Sequence, residues 1–332
     1  MSIKPASYNL KITTCNLFNY VQPPFSAYES ENIYTNDEWR KKQSWLSDTL
    51  TQLNSDIIAF QEVFSFHALE QQMQTLGYNE FRCLDLPHTE HEYICSRPPV
   101  AIASRYPIEQ AELLSVPEEL IKNGLVTAEF EFSRRPLHVT VRVPQLGLVD
   151  FYVVHFKSQR PDDNAVAAGE EYRQIGSWLS AMQRGLEANV LLLEMKKIKA
   201  LHQRPCILLG DFNQVIPCSE FANLISAVEQ ADFQDLATLH LFDSWELYCR
   251  QLDMSNLAWS RQATHYYGSL GNVLDYILLS QEFYNDNDKD NGGLLSVIDI
   301  EVTDKHLINP SFEAGDHIAS DHALVSAVVQ IK

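Results

Sequence analysis

Short apolar runs recur along the chain, and each stops at polar or small residues. Leu10 to Leu17 alternates loosely and takes in Asn16, and Asp56 to Phe60 is followed at once by Gln61 and Glu62. Val100 to Ala103 leads into Ser104, Arg105, Tyr106 and Pro107; Val149 to Val154 ends at His155; Cys206 to Leu209 ends at Gly210, Asp211, Phe212 and Asn213. Leu274 to Leu279 contains Asp275, and Ala323 to Ile331 follows Asp321 and His322. Apolar runs this short, bounded by turn formers, predict strands buried within stacked sheets. Helical spacing appears between them. Glu38 to Leu53 carries Trp39, Trp45, Leu46, Leu50 and Leu53 along one face, and Glu171 to Leu201 forms one long helix or two. Ser219 to Val228, with Pro217 just ahead of it, is a third predicted helix. Strands and helices alternate along the whole chain, with no internal repeat and no Pro/Gly/Ser-rich linker. That order predicts a mixed α/β (α+β) fold in a single domain over residues 1–332. NDNDKDNGG, from Asn285 to Gly293, reads as a solvated loop.

Charge changes this picture first. The chain carries 44 acidic against 25 basic residues, a formal net charge of -19. Such a surface repels polyanions at long range, which argues against passive nucleic-acid binding more than against an enzyme that meets phosphate through a metal ion. Six cysteines, Cys15, Cys83, Cys95, Cys206, Cys218 and Cys249, show no C-x-x-C spacing and read as free thiols. The polar N-terminal segment has no secretory apolar core, and no apolar run reaches transmembrane length. A cytoplasmic protein is the expectation.

The chemistry is narrowed by what is missing. No G-x-x-x-x-G-K-[ST] loop, G-x-G-x-x-G, G-x-S-x-G elbow or H-E-x-x-H is present; His91-Glu92 fails the last because Cys95 stands where the second His belongs. Asp85, His88, Glu90, His91 and Glu92 read as a solvated loop. The polar residues at strand ends remain. Singly each has an ordinary structural reading, but strands that leave a sheet at one edge would bring them into one cleft. Their chemistry suits phosphoester hydrolysis. An anionic phosphodiester repels an anionic nucleophile, so positive charge is needed on its oxygens, and Mg²⁺ supplies it through hard oxygen ligands. Asn16, Glu62, Asp211, Asn213 and Asp321 are of that type. His322 and Asp275 are suited to proton transfer, and His155 to donating a hydrogen bond to a phosphoryl oxygen.

Seven pieces, NLFNY at Asn16, FQEV at Glu62, ASRYPI from Ala103, VVHFKS at His155, LLGDFN at Asp211, LDYILLS at Asp275 and SDH at His322, together resemble the endonuclease/exonuclease/phosphatase superfamily. They occur in family order and span nearly the whole chain. The resemblance implies a four-layer sandwich, two mixed β-sheets face to face with helices outside. It implies Glu62 as the main metal carboxylate, with Asn16 and Asp321 close to the metal or its waters. Asp211 and Asn213 look like the pair that positions nucleophile and scissile phosphate, His322 with Asp275 like the catalytic dyad, and His155 like the second histidine of deoxyribonuclease-like members. The tail holds two Asp-His pairs, and Asp321-His322 is preferred over Asp316-His317 because it follows Ser320 and runs into an alternating strand.

The substrate is less sharply written. HFKS and THYYGSLGNVLDY (Thr264 to Tyr276) resemble bacterial nuclease-like members, and Lys157 and Arg97 are candidate substrate contacts. Arg184 and Glu187 read as packing or salt-bridge residues of the long helix. The expectation is a Mg²⁺-dependent (Mn²⁺ or Ca²⁺ alternatively) nuclease-like phosphodiesterase, with DNA or RNA among its substrates. A phosphatase or phosphodiesterase of a small soluble or lipid-headgroup phosphoester is the alternative, and a non-catalytic binding protein ranks below both. No protein partner is predictable.

Overall fold

The computed structural model describes residues 8–226, 235–252, 261–284, 295–308 and 318–331. Two six-stranded mixed sheets form the centre. In spatial order the first contains Leu295–Thr303, Leu324–Ile331, Tyr8–Tyr20, Ile57–Val63, Ala101–Ser104 and Glu80–Arg82. The second contains Leu241–Asp243, Asp275–Ser280, Cys206–Asp211, Gly147–His155, Leu137–Val143 and Ile108–Leu113. Between the sheets lies one apolar layer, to which Leu10, Ile12, Ile57 and Ile102 contribute from one side and Val139, Phe151, Ile207 and Ile277 from the other. All eight are fully buried, and each such side chain contributes about 1.5–3 kcal/mol relative to exposure.

Helices cover the outer faces. Asn36–Leu53 buries Trp39, Leu46, Leu50 and Leu53 against the back of the first sheet. It starts at a capping box in which Thr35 and Glu38 satisfy each other's backbone N–H groups. The Glu171–Leu201 pattern is one helix, Arg173–His202, preceded by a 3₁₀ turn over Glu170–Tyr172. Its second half packs Val190, Leu191, Leu192 and Met195 on the second sheet, whereas Ile175, Trp178, Leu179 and Met182 of its first half are exposed. Four layers result, as the family resemblance implies. The six cysteines are free, and among the described residues no helix is long and apolar enough to cross a membrane.

One predicted helix is corrected. Over its described part, Ser219 to Ser226, the chain makes turns. Phe221 and Leu224 do reach the core, but Leu224 N–H bonds to the carbonyl of Phe221 and Ser226 N–H to that of Leu241, so no i→i−4 ladder forms. Helical spacing of two anchors recorded burial without the backbone bonds. The remainder of that segment, the Asn285–Gly293 loop and the Asp316-His317 pair lie outside the described residues.

Lys42 braces the fold directly behind the strand ends. Fully buried, its ammonium donates to the carbonyls of Phe18 (2.9 Å), Ile318 (2.9 Å) and Ala319 (2.7 Å). Burial pulls its pKa down to about 7, against the opposing pull of Glu62 and Asp321. Lys42→Met removes the donor and strands three carbonyls, so unfolding free energy should fall by about 2–3 kcal/mol. An unchanged urea midpoint would contradict this role.

Candidate active site

The sheet topology brings the strand ends together. Tyr8–Tyr20 runs parallel to Ile57–Val63, and Gly147–His155 runs parallel to Cys206–Asp211, so Asn16, Glu62, His155 and Asp211 leave their sheets in the same sense. Asp275–Ser280 and Leu324–Ile331 are antiparallel to these strands, and each begins at that same edge. Asp275 is therefore paired in register with Asp211, and His322 lies two residues ahead of its strand.

Local backbone irregularities aim the side chains. Glu62 sits at the end of its strand with φ 60°, and Phe18, Asn19 and Asn213 are also left-handed. Such a conformation costs a non-glycine residue on the order of 1–3 kcal/mol and concentrates at functional sites. The backbone N–H of Asn19 donates to Glu62 Oε2 at 2.8 Å. Gly210 has φ +145°, and a Cβ there would lie 2.0 Å from the carbonyl oxygen of Val154. Only glycine lets this strand approach its neighbour closely enough to set Asp211 beside His155. Gly210→Ala should destabilise the fold by about 3 kcal/mol, the upper end of ordinary substitutions. A wild-type urea midpoint in that variant would refute the steric argument.

Asp211 is the hub. Its Oδ2 lies 3.0 Å from Asn16 Nδ2, 3.3 Å from Asn213 Nδ2, 3.4 Å from His155 Nε2 and 3.8 Å from His322 Nε2, while Oδ1 accepts the Asn213 N–H at 2.7 Å. Burial, with the neighbouring negative charges of Asp275 and Glu62, raises its pKa to about 7 despite His322. His322 Nδ1 faces Asp275 Oδ2 at 2.8 Å. Burial works against its charged form, but Asp275 and Asp211 outweigh burial and hold its pKa well above the ordinary value. His155 moves the other way: burial, then the positive charges of Arg134 and His322, push it well below, so it is neutral. His155 Nδ1 and Asp275 Oδ1 are buried without a partner.

Two hydroxyls fix this geometry: Thr264, to which the sequence assigns no role, and Ser320, which opens the SDH piece. Thr264 Oγ1 accepts from the backbone N–H of Leu274 and Asp275, and the Thr264 carbonyl accepts from Ala323 N–H at 2.7 Å, tying the two halves of the dyad together. Ser320 Oγ donates to the Asn16 carbonyl and accepts from His322 N–H. His265 was also missed. Its ring lies 4.9 Å from that of His322, and its Nε2 is 4.0 Å from Asp321, which stands at the solvent edge. The only signal for it was the THYYGSLGNVLDY segment.

Arg97 does not join the cluster; it is exposed and faces Glu131 at 3.9 Å, on the wall of a cleft it shares with Arg134. Lys157 is held closer. Glu187 accepts the N–H of Lys157 (2.8 Å) and of Ser133 (2.7 Å), and Arg184 donates to the carbonyls of Lys157 (3.0 Å) and Ser158 (3.4 Å). The two helix residues are thus structural braces of the loop that follows His155.

The sequence profile of the Endonuclease/Exonuclease/phosphatase family matches residues 32–322. The chain belongs to that family. Its members are hydrolases of phosphoester bonds, and they typically use divalent metals. Among solved structures, the human Nocturnin catalytic domain with bound sulfate is similar at 15% identity and TM-score 0.59, covering 98% of this chain and 95% of that one. D. rerio TDP2 complexed with single-strand DNA product gives 13% and 0.57, with 97% and 98% covered. An endonuclease/exonuclease/phosphatase from Bacteroides vulgatus gives 13% and 0.56, with 98% and 100% covered. These likenesses establish the shared fold. No curated protein matches the chain.

The donor set of this family member suits a hard divalent cation. Burial first, and then the negative charges of Asp275 and Glu62, raise the Asp211 pKa, and a bound cation would offset both. Asp211, Asp275 and His322 present ligand atoms within 4.8 Å of one another, as do His265, Asp321 and His322. No thiolate lies in either group, which disfavours a soft-metal site.

Proposed function

We propose that the chain is a Mg²⁺-dependent, nuclease-like phosphodiesterase whose site is the Asp211-centred cluster. The observation carrying this reading is the His322–Asp275 pair set against Asp211 at the common sheet edge. Glu62 would be the main metal ligand, with Asp321 near the metal or its waters. Asn16 would act through Asp211, since its amide nitrogen donates there and its oxygen accepts the Phe18 N–H. When bound, Mg²⁺ supplies positive charge to the phosphoryl oxygens.

The protein's own groups do the rest. Asp211 and Asn213 orient the attacking water on the phosphorus, and Asp211 accepts its proton. Asp275 orients His322 and favours its charged form, so that its Nε2–H stabilises charge developing on the phosphoryl oxygens. Neutral His155 contributes one further N–H. In-line attack of water breaks the ester bond and leaves a phosphate on one product.

D. rerio TDP2 in complex with a single-strand DNA product shares this fold, which lends weight to a nucleic-acid diester. The net charge of -19 favours a second reading, a small soluble phosphoester, because long polyanions meet repulsion. Nicking of supercoiled plasmid in Mg²⁺, run beside a panel of small phosphoesters, separates the two. Nicking abolished by EDTA supports the nuclease reading. Turnover of the small panel without nicking moves the substrate to metabolites, and activity that survives EDTA sinks the metal role.

A further inference from the structure

Arg134 sits where a cation is costly and lacks the compensation given to its neighbours. In a chain with 44 acids and 25 bases, Arg97, Arg135, Arg142 and Arg184 each face a carboxylate. Arg134 has no ion pair among the described residues, and its Nε is buried without a hydrogen-bond partner. Lys157 likewise forms no ion pair there, and the two charges act on each other: burial, then Arg134, lowers the Lys157 pKa, against a weaker opposing pull from Asp163, Asp162 and Glu187. The charge of Arg134 also reaches His155 at the cluster, and Arg134 hydrogen-bonds to the Tyr28 hydroxyl, a neutral partner that Arg160 reaches as well.

This juxtaposition is built into the fold. Buried Glu187 accepts both the Ser133 N–H and the Lys157 N–H, clamping together two segments 24 residues apart, so that Arg134 and Lys157 follow directly from the clamp. Glu187 spends both carboxylate oxygens on backbone N–H groups (2.7 and 2.8 Å) rather than on either cation. Two half-buried like charges destabilise each other, and an anion between them would reverse the sign of that interaction. Beyond Arg134 a cleft of about 610 Å³ opens, lined by Pro87, Pro99, Phe130 and Phe132 and by Arg97 and Arg135, which are paired with Glu131 and Asp85 on the same wall, a volume within the range of small-ligand sites.

We propose that Arg134 and Lys157 form a second anion subsite that takes a phosphate next to the scissile one, so that the preferred substrates carry at least two phosphates. The inference rests on the reading above in placing the scissile phosphate at the Asp211 cluster. Arg134 supplies the planar fork that matches phosphate oxygens, and Lys157 a point charge beside it. The moiety joining or following the two phosphates would lie along the cleft toward Arg97.

The test is equilibrium dialysis in Mg²⁺ on a His322→Ala background, which slows hydrolysis, with the intact fraction of each probe measured by chromatography at equilibrium. Three probes are compared: thymidylyl-thymidine with one internal phosphate, its 5′-phosphorylated form, and the trinucleotide with two internal phosphates. Either two-phosphate probe should bind on the order of tenfold tighter than the one-phosphate probe, as expected for one added charge-assisted contact. Preference for the 5′-phosphorylated form marks a terminal phosphomonoester, and preference for the trinucleotide a polynucleotide backbone. Adding Arg134→Gln or Lys157→Gln should collapse the ratio toward one, and Arg134→Lys should restore part of it, which a merely structural role would not. Equal affinity for all three probes, or a ratio that survives both Gln variants, overturns the subsite. Absence of hydrolysis by the wild-type protein would sink the phosphodiesterase reading and leave this ratio measurable.

Discussion

Replacing His322 by alanine should lower turnover by on the order of 10²–10⁴, the usual range for a positioned acid–base or charge-stabilising group. The imidazole is held on one side by Asp275 at 2.8 Å and presents Nε2 toward Asp211 at 3.8 Å, so its loss leaves the second nitrogen's task undone. The substitution also strands Asp275, buried, with one carboxylate oxygen already unpartnered. Removing one member of a buried pair costs about 3–5 kcal/mol, so the rate must be read on protein shown to be folded by circular dichroism. Asp275→Asn is the companion variant, since it keeps the shape while releasing the orientation of His322. A folded His322→Ala protein with wild-type turnover would move the central role elsewhere in the cluster.

The second large effect is expected at Glu62. Glu62→Ala removes a hard anionic ligand from the edge of the first sheet while leaving the strained backbone in place, because alanine pays a similar cost at φ 60°. Losing an outer-shell partner of a metal site costs roughly 10–100-fold in affinity or activity, and losing a direct carboxylate ligand should cost at least that. The Mg²⁺ concentration giving half-maximal activity should therefore rise by more than about tenfold, and the maximal rate should fall with it. An unchanged Mg²⁺ titration would remove Glu62 from the metal.

The strand ends were legible in the sequence for a physical reason. A buried strand must be apolar, so Gln61-Glu62, His155, Gly210-Asp211 and Asp275 stood out as abrupt interruptions of runs that had no other use for them. Their order along the chain then carried the family resemblance, and parallel pairing did the gathering. Thr264 and His265 are not legible in this way, and Ser320 is legible only as the residue that opens the SDH piece, not as a brace. A hydroxyl that ties Asp275 to the His322 segment has no periodicity, and its partners are remote in sequence. Arg134 was hidden likewise, because its neighbourhood with Lys157 exists only through Glu187 on a third segment. Arg97 was singled out from local composition, and the structure turns it toward Glu131. At Ser219–Val228 the spacing of Phe221 and Leu224 predicts a helix, whereas over the described residues 219–226 turns bury the same two side chains.

The measurement that bears most directly on the central claim is anomalous diffraction from crystals of the protein grown with Mn²⁺ as a visible stand-in for Mg²⁺. The account predicts a peak at bonding distance from the Glu62 carboxylate, on the side facing Asp211, with the His322–Asp275 hydrogen bond intact. A peak confined to His265 and Asp321, or one ligated by His322 Nε2, would contradict it, because that nitrogen could not then act on the phosphate.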